Sequence, residues 1–196
     1  MVYNPKDYYF KKAKEMNFAA RSVFKLEELD EKFKLFRLGF NVLDLGCAPG
    51  SWTQYAVNAI GPKGLCIGID LQKVTLQIPN ARFVQGDAFD EPTIAKFAAE
   101  SNIELFDVVM SDMAPKTSGI RFADQTRSFE LCKRALDVAK ARLRPGGNFV
   151  VKFFQSGDFD PYLKMLKPLF TKIEIYRPKS TRKASFEIYI VGLKKL

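Results

Sequence analysis

Lys152 is the chemically oddest group in the sequence, a lysine inside the apolar run Phe149-Val-Val-Lys-Phe-Phe154. Burial disfavours a charged amine, so such a lysine either snorkels to a strand end or has a partner and a task. Glu187 poses the same question within Ser-Phe-Glu-Ile-Tyr-Ile-Val, where the ordinary place for a carboxylate is the solvent face. Asp112 ends a third apolar run, in Val-Val-Met-Ser-Asp-Met-Ala-Pro, and Asp70 and Asp87 close two others. Lys25, on a helical pattern, reads by itself as part of a solvated face. Lysines and carboxylates carry extra weight because the chain has no histidine. Ser-His-Asp and Cys-His nucleophiles, histidine zinc sites and histidine proton shuttles are excluded, leaving acid–base chemistry to Lys, Asp, Glu, Tyr or Cys. Cys47, Cys66 and Cys132 are widely spaced with no C-x-x-C pair. They argue against a disulfide framework or metal cluster and for a reducing compartment.

The elements that must position these groups alternate along the chain. Short apolar runs fall at 41–45, 65–69, 81–84, 106–110, 148–154, 172–176 and 186–192. Helical patterns at 51–60, 91–101, 124–143 and 159–168 separate them, and two more, at 7–16 and 20–35, come first. Pro145-Gly146-Gly147 reads as the stop of the long fourth crossover helix. This order predicts an α/β fold with parallel strands, right-handed crossovers and helices on both faces of the sheet. Residues 177–185 are basic and polar with no helical pattern, so the last two runs should close as an antiparallel hairpin. A length of 196 residues suits a single domain, with 1–38 as helices added before the sheet. Ligands in such sheets bind at the carboxyl ends of the strands.

The net charge of +9 is unevenly spread, with −4 over 41–110 flanked by +3 over 1–40, +4 over 111–159 and +6 over 160–196. Basic flanks favour a polyanion, and an acidic middle favours a cationic ligand. Within the acidic stretch, Asp44-Leu45-Gly46-Cys47-Ala48-Pro49-Gly50-Ser51-Trp52 follows a strand and opens a helix. Gly46 and Gly50 let the backbone turn and approach a ligand closely. Neither G-x-G-x-x-G nor a Walker A sequence occurs, which argues against a nicotinamide dehydrogenase. The phosphate-free alternative is S-adenosylmethionine (AdoMet), whose sulfonium and amine are stabilised by nearby acids. The simpler reading of the loop is a glycine turn. Asp70 could accept from ribose hydroxyls and Asp87 from an adenine amine; each alone reads as a turn residue, and together they favour a pocket.

Over essentially the whole chain the sequence resembles the FtsJ/RrmJ-type RNA 2′-O-methyltransferases. The matching stretches are Ala20-Arg-Ser-Val-Phe-Lys-Leu26, Asp44 to Gln54, Gln85-Gly-Asp87, Ser111-Asp-Met-Ala-Pro115, Val151-Lys-Phe-Phe-Gln155 and Glu187-Ile-Tyr-Ile-Val191. The resemblance implies a Rossmann-like AdoMet-dependent methyltransferase fold with a seven-stranded, mostly parallel sheet and one antiparallel strand. It implies a catalytic tetrad of Lys25, Asp112, Lys152 and Glu187, and AdoMet contacts at Gly50, Trp52, Asp70, Asp87 and Asp112, with Gly46 and Ser51 in the same loop. A ribose 2′-hydroxyl is a poor nucleophile, so a base must take its proton, and without histidine a buried lysine near a second cation is the candidate. Positioning of the hydroxyl by Lys152 is the rival role.

The start, Lys6-Asp-Tyr-Tyr9 with Lys12-Ala-Lys-Glu15, and Ala48 to Trp52 are similar to members acting on the tRNA anticodon loop. The C-terminal half is similar to large-subunit ribosomal RNA members, in Phe159-Asp-Pro-Tyr-Leu163 and Phe170-Thr-Lys172, although that group has Asn where Lys116 stands. The resemblance thus points to a ribosomal RNA (uridine-2′-O-)-methyltransferase, within or outside the large subunit, with a tRNA enzyme as the alternative. A non-catalytic RNA-binding assembly factor is the alternative from another class. Lys6 to Lys14, Arg21, Arg177, Lys179, Arg182 and Lys183 are the candidate RNA surface. No apolar signal core opens the chain and no run is long enough to span a bilayer, which predicts a cytoplasmic protein, taken as a monomer without metal.

Overall fold

The computed structural model describes residues 8–115 and 118–196; Lys6, Asp7 and Lys116 lie outside them. Two helices, α1 (Tyr8–Glu15) and α2 (Val23–Phe33), precede β1 (Asn41–Leu45), α3 (Ser51–Ile60), β2 (Leu65–Asp70), β3 (Ala81–Gln85), α4 (Glu91–Glu100) and β4 (Phe106–Ser111). Then come α5 (Arg121–Arg142), β5 (Leu143–Phe154), α6 (Phe159–Leu166), β6 (Phe170–Tyr176) and β7 (Glu187–Lys195). The seven strands form one sheet in the order β3-β2-β1-β4-β5-β7-β6. Pairs among β1 to β5 are parallel, and β7 runs antiparallel to both β5 and β6. The expected sheet, with its closing hairpin, is therefore what forms. From β1 the chain winds outward to β3, then returns to place β4 on the other side of β1, so the loops leaving β1 and β4 part and open a crevice.

Strand period two sorts the side chains onto two faces. Leu43, Leu45, Val109, Phe149, Val151, Phe153, Ile188 and Ile190 pack with Ile94 of α4, Leu136 of α5 and Tyr162 of α6. Val42, Val108, Met110, Val150, Tyr189 and Val191 pack instead with Leu26 and Leu29 of α2 and Trp52 and Ala56 of α3. Lys152 and Glu187 share the parity of Val150 and Tyr189, so both point to the face that α2 and α3 cover. None of the helices among the described residues is long and apolar enough to cross a membrane.

Three local features add detail to the expected pattern. The long helix ends at Arg142, before Pro145-Gly146-Gly147, and the chain enters β5 directly. Register slips between Phe106↔Leu143 and Val108↔Asn148, so the Pro-Gly-Gly segment is a bulge in the strand. A Cβ on Gly147 would lie 2.9 Å from the carbonyl oxygens of both Arg144 and Asp107, which is why glycine is required there. The end of α5 just before Pro145-Gly146-Gly147 is also capped from afar: Lys195 Nζ, on β7, donates to the Ala139, Lys140 and Leu143 carbonyl oxygens at 3.2, 2.6 and 2.7 Å. Likewise, the acidic side of α2 is not merely solvated. Asp30 accepts from the Leu35 and Phe36 amides at 2.8 and 3.2 Å, ending the helix, and from the Tyr55 hydroxyl at 3.0 Å.

Candidate active site

Four charged side chains meet on the α2-covered face as two ion pairs. Lys152 Nζ lies 3.1 Å from Asp112 Oδ1 and also donates to the Asp112 carbonyl oxygen. Lys25, carried by α2, is paired with Glu187 at the start of β7. All four are largely removed from water, with side-chain exposures of 8% for Lys152, 19% for Asp112, 13% for Lys25 and 11% for Glu187. Each lysine thus has its own carboxylate to orient its amine. Tyr189 stands between the pairs, its hydroxyl donating to Asp112 Oδ1 at 2.6 Å and its ring 5.9 Å from Lys25 Nζ. Burial, followed by the negative charges of Asp112 and Glu187, holds its phenol well above the usual range, so it is a fixed donor. The sequence reading missed Tyr189, although its place two residues after Glu187 puts both on one strand face.

The cofactor loop sits between β1 and α3. Gly50, at φ +108, precedes the first turn of α3, a conformation natural only to glycine. Trp52 is buried under the loop, donating Nε1–H to the Ser22 carbonyl oxygen at 2.9 Å, with its ring 5.7 Å from that of Tyr189. Ser51 and Ser22 hydroxyls lie 3.0 Å apart. Trp52 and Ser51 thus tie the loop to α2 as well as facing the site. Beneath them Asp44 is buried and accepts from the Thr53 hydroxyl at 2.7 Å. Burial lifts its carboxyl to about 7; the Thr53 bond opposes this, and the charges of Asp112 and Asp70 add to it.

A cleft of about 720 Å³ opens along the carboxyl ends of β1, β2, β3 and β4, and Gly46, Asp70, Asp87 and Asp112 all line it. This volume suits a small-molecule ligand. Asp70 Oδ2 and Oδ1 accept from the Ala48 and Gln72 amides at 2.9 and 2.7 Å, which aims the carboxylate and leaves each oxygen a further lone pair. Asp87 accepts from the Phe89 amide at 3.0 Å and is bridged by Arg134 at 3.1 Å, whose guanidinium also covers the Phe89 ring at 4.1 Å. An adenine amine would therefore share Asp87 with Arg134, a partner on α5 that the sequence did not announce.

A small hollow of about 40 Å³, lined by Ser22, Asp44, Gly46, Ser51, Trp52 and Asp112, shares Gly46 and Asp112 with this cleft. It shares Ser22 with a further pocket of about 340 Å³ lined by Arg21, Ser22, Lys25, Arg182, Ser185 and Glu187. The candidate RNA residues divide around it. Arg21 and Arg182 face the pocket, and Arg21 also donates to the Ser180 carbonyl oxygen at 2.5 Å. Arg177 is spent on structure, donating to the Ser185 and Arg182 carbonyl oxygens at 2.7 and 3.3 Å. Lys179 lines a separate groove beside Glu28, Lys12 and Tyr176, while its amide and that of Ser180 are held by Glu28 at 2.6 and 2.9 Å. Lys183 is exposed.

With this geometry in hand, comparison with known proteins gives the chain its relatives. The protein named ribosomal RNA large subunit methyltransferase E of Bdellovibrio bacteriovorus is 54% identical over 195 residues, spanning 100% of both chains. Its namesake in Desulfatibacillum aliphaticivorans is 50% identical over 191 residues, covering 97% of this chain and 91% of its own. A crystal structure described as that of a ribosomal RNA methyltransferase from Plasmodium falciparum superposes with a TM-score of 0.80 at 28% identity, covering 91% of this chain and 99% of its own. Aeropyrum pernix fibrillarin, solved with natively bound S-adenosyl-L-methionine, shares the fold at a TM-score of 0.61 and 18% identity, covering 88% of this chain and 76% of its own. The family model for FtsJ-like methyltransferases matches residues 18–195, and the chain belongs to that family.

Proposed function

We propose that the protein transfers the methyl group of AdoMet to the 2′-hydroxyl of a uridine ribose in large-subunit ribosomal RNA, as a monomeric single-domain enzyme of the cytoplasm. The observation that carries this reading is the position of the Lys152–Asp112 pair, with Asp112 lining both the carboxylate-lined cleft and the small hollow that shares Ser22 with a cationic pocket. The names borne by relatives at 54% and 50% identity support ribosomal RNA over tRNA.

AdoMet fits the cleft because four carboxylates line it, Asp70, Asp87 and Asp112 at the strand ends and Glu130 on α5, a set of acceptors suited to a ligand with two positive centres and no phosphate. When bound, it supplies an electrophilic methyl group on its sulfonium. Asp70 and Asp87 would hold its nucleoside end, and Asp112 would hold its charged end. On the other side, Arg21 and Arg182 draw the RNA backbone into the pocket. Asp112 occupies two of the directions around Lys152 Nζ, through its carboxylate and its carbonyl oxygen. The remaining direction faces the hydroxyl: on a neutral amine it is the lone pair that takes the 2′ proton as the oxygen attacks. Lys25, held by Glu187, and the N-terminal helices of 1–38 that carry it complete the ribose side.

Labelled AdoMet offered with free ribosomal RNA, large subunits and tRNA tests the substrate. Alkali-stable ribose label in large-subunit RNA is expected; label confined to tRNA would overturn the assignment. Lys152→Ala and Lys152→Arg should each lose about 100-fold or more of kcat, the usual scale for removing a general base, with AdoMet binding retained. Substantial activity of Lys152→Ala with an unchanged basic limb in its pH–rate profile would remove the base role.

A further inference from the structure

We propose that Phe122, supported by Ile120, is a stacking surface for a nucleobase that neighbours the methylated nucleotide in the RNA. This rests on the RNA reading above and adds to it a contact that the tetrad and the basic residues do not supply.

Phe122 is 80% exposed and Ile120 65% exposed, two large apolar side chains at one loop–helix junction. They are held there firmly. Asp124, buried in the first turns of α5, accepts from the Ser118 and Gly119 amides at 2.8 and 3.2 Å and from the Ser118 hydroxyl at 2.9 Å. Arg121 lays its guanidinium 5.6 Å from the Phe186 ring, Phe186 packs on Phe154 at 4.9 Å, and Gln125 donates to the Gln155 carbonyl oxygen at 2.5 Å. Phe186 immediately precedes Glu187, and Phe154 is the register partner of Glu187. The start of α5 is therefore clamped to the strand ends that carry half of the tetrad.

Helical spacing then places the ring. Thr126, Glu130 and Arg134 line the cofactor cleft. Phe122 is four residues before Thr126 and so continues the same stripe one turn further toward the helix start. It stands at the outer rim of the cleft, on a helix whose other side is fixed beside Glu187. An exposed aromatic ring at the start of a helix that also carries Arg121 and Arg127, the latter lining the cleft, matches the way single-stranded RNA is held, by stacking of unpaired bases together with contacts to the backbone. A base is the occupant that fits both the exposed ring and the surrounding positive charge.

The test uses the intact protein with an RNA substrate carrying 2-aminopurine next to the methylated nucleotide. Wild type should quench its fluorescence on binding, and Phe122→Ala should not. In Phe122→Ala the KM for RNA should rise about tenfold or more, as expected for loss of one stacked base, with KM for AdoMet and the salt dependence of binding unchanged. Phe122→Trp should restore both readouts and Phe122→Leu should not. An unchanged KM for RNA, or a rise in KM for AdoMet in its place, would overturn the stacking role; the latter would make Phe122 a cover for the cofactor. If wild type itself methylates no RNA, the underlying function fails, a result separable from either of these.

Discussion

Asp44 is a carboxyl group beneath the cofactor loop that burial lifts to about 7, with the charges of Asp112 and Asp70 adding to the rise and the hydrogen bond from Thr53 working against it. In the unfolded chain the same group titrates near ~4. Between those values the folded protein holds a proton that the unfolded chain has released, so this residue's contribution to stability is present at low pH and is lost as pH rises toward about 7. Asp44→Asn keeps an acceptor for Thr53 without a titrating group. Denaturant unfolding of the cofactor-free protein at several pH values should therefore show a decline across this window in wild type that is shallower in the variant; parallel curves would contradict the assignment. Tyr189 makes a related point about single residues. Its hydroxyl fixes one oxygen of Asp112, leaving Lys152 to fix the carboxylate from another direction, so the tetrad is held by a fifth side chain with no charge to advertise it.

At the scale of elements, the bulge in β5 decides where Lys152 stands. The step from Leu143 to Asn148 against Phe106 to Val108 on β4 absorbs extra residues before the strand resumes its pairing. Period two then carries Val150, Lys152 and Phe154 to the α2 side and Phe149, Val151 and Phe153 to the other. Gly147 is where the backbone is most crowded. Gly147→Ala would bring a methyl group within 2.9 Å of two carbonyl oxygens and 2.7 Å of Leu143 Cδ1. It should cost about 1–3 kcal/mol, the range for overpacking, read as a lower denaturant midpoint with an unchanged slope. Because the strand beyond Asn148 stays in register, kcat per folded molecule should be retained.

For the molecule as a whole, the charge distribution is a division between two neighbouring pockets. The acidic middle segment supplies Asp70 and Asp87 to the cofactor cleft, and the basic ends supply Arg21, Lys25 and Arg182 to the pocket. Reversing Arg182 and Lys183 to glutamate should weaken RNA binding and flatten the dependence of log K on log salt by about 1 or more, since each phosphate contact on a single strand contributes ~0.7. AdoMet affinity should not change, and filter binding over a salt series alongside calorimetry with AdoMet checks both; an unaltered salt slope would remove this patch from the RNA surface.

Much of this was legible in the chain itself. Alternating runs and their spacing determine the strand–helix order, because burial of a two-sided sheet demands that pattern, and the absence of histidine confines acid–base chemistry to Lys, Asp, Glu, Tyr or Cys. Lys152 and Glu187 were visible as charges out of place in apolar strands. Tertiary structure alone decided who pairs with whom. Lys25 looks solvated on its helix until α2 packs over β7 beside Glu187, and Arg134 meets Asp87 only because α5 lies along the cleft. Arg177, a candidate RNA contact, also holds its own loop through the Ser185 carbonyl oxygen, a bond that only the folded chain reveals. Local sequence carries periodicity, which short-range backbone geometry reads; partners for charged side chains are set by long-range packing, which places residues far apart in the chain within hydrogen-bond reach.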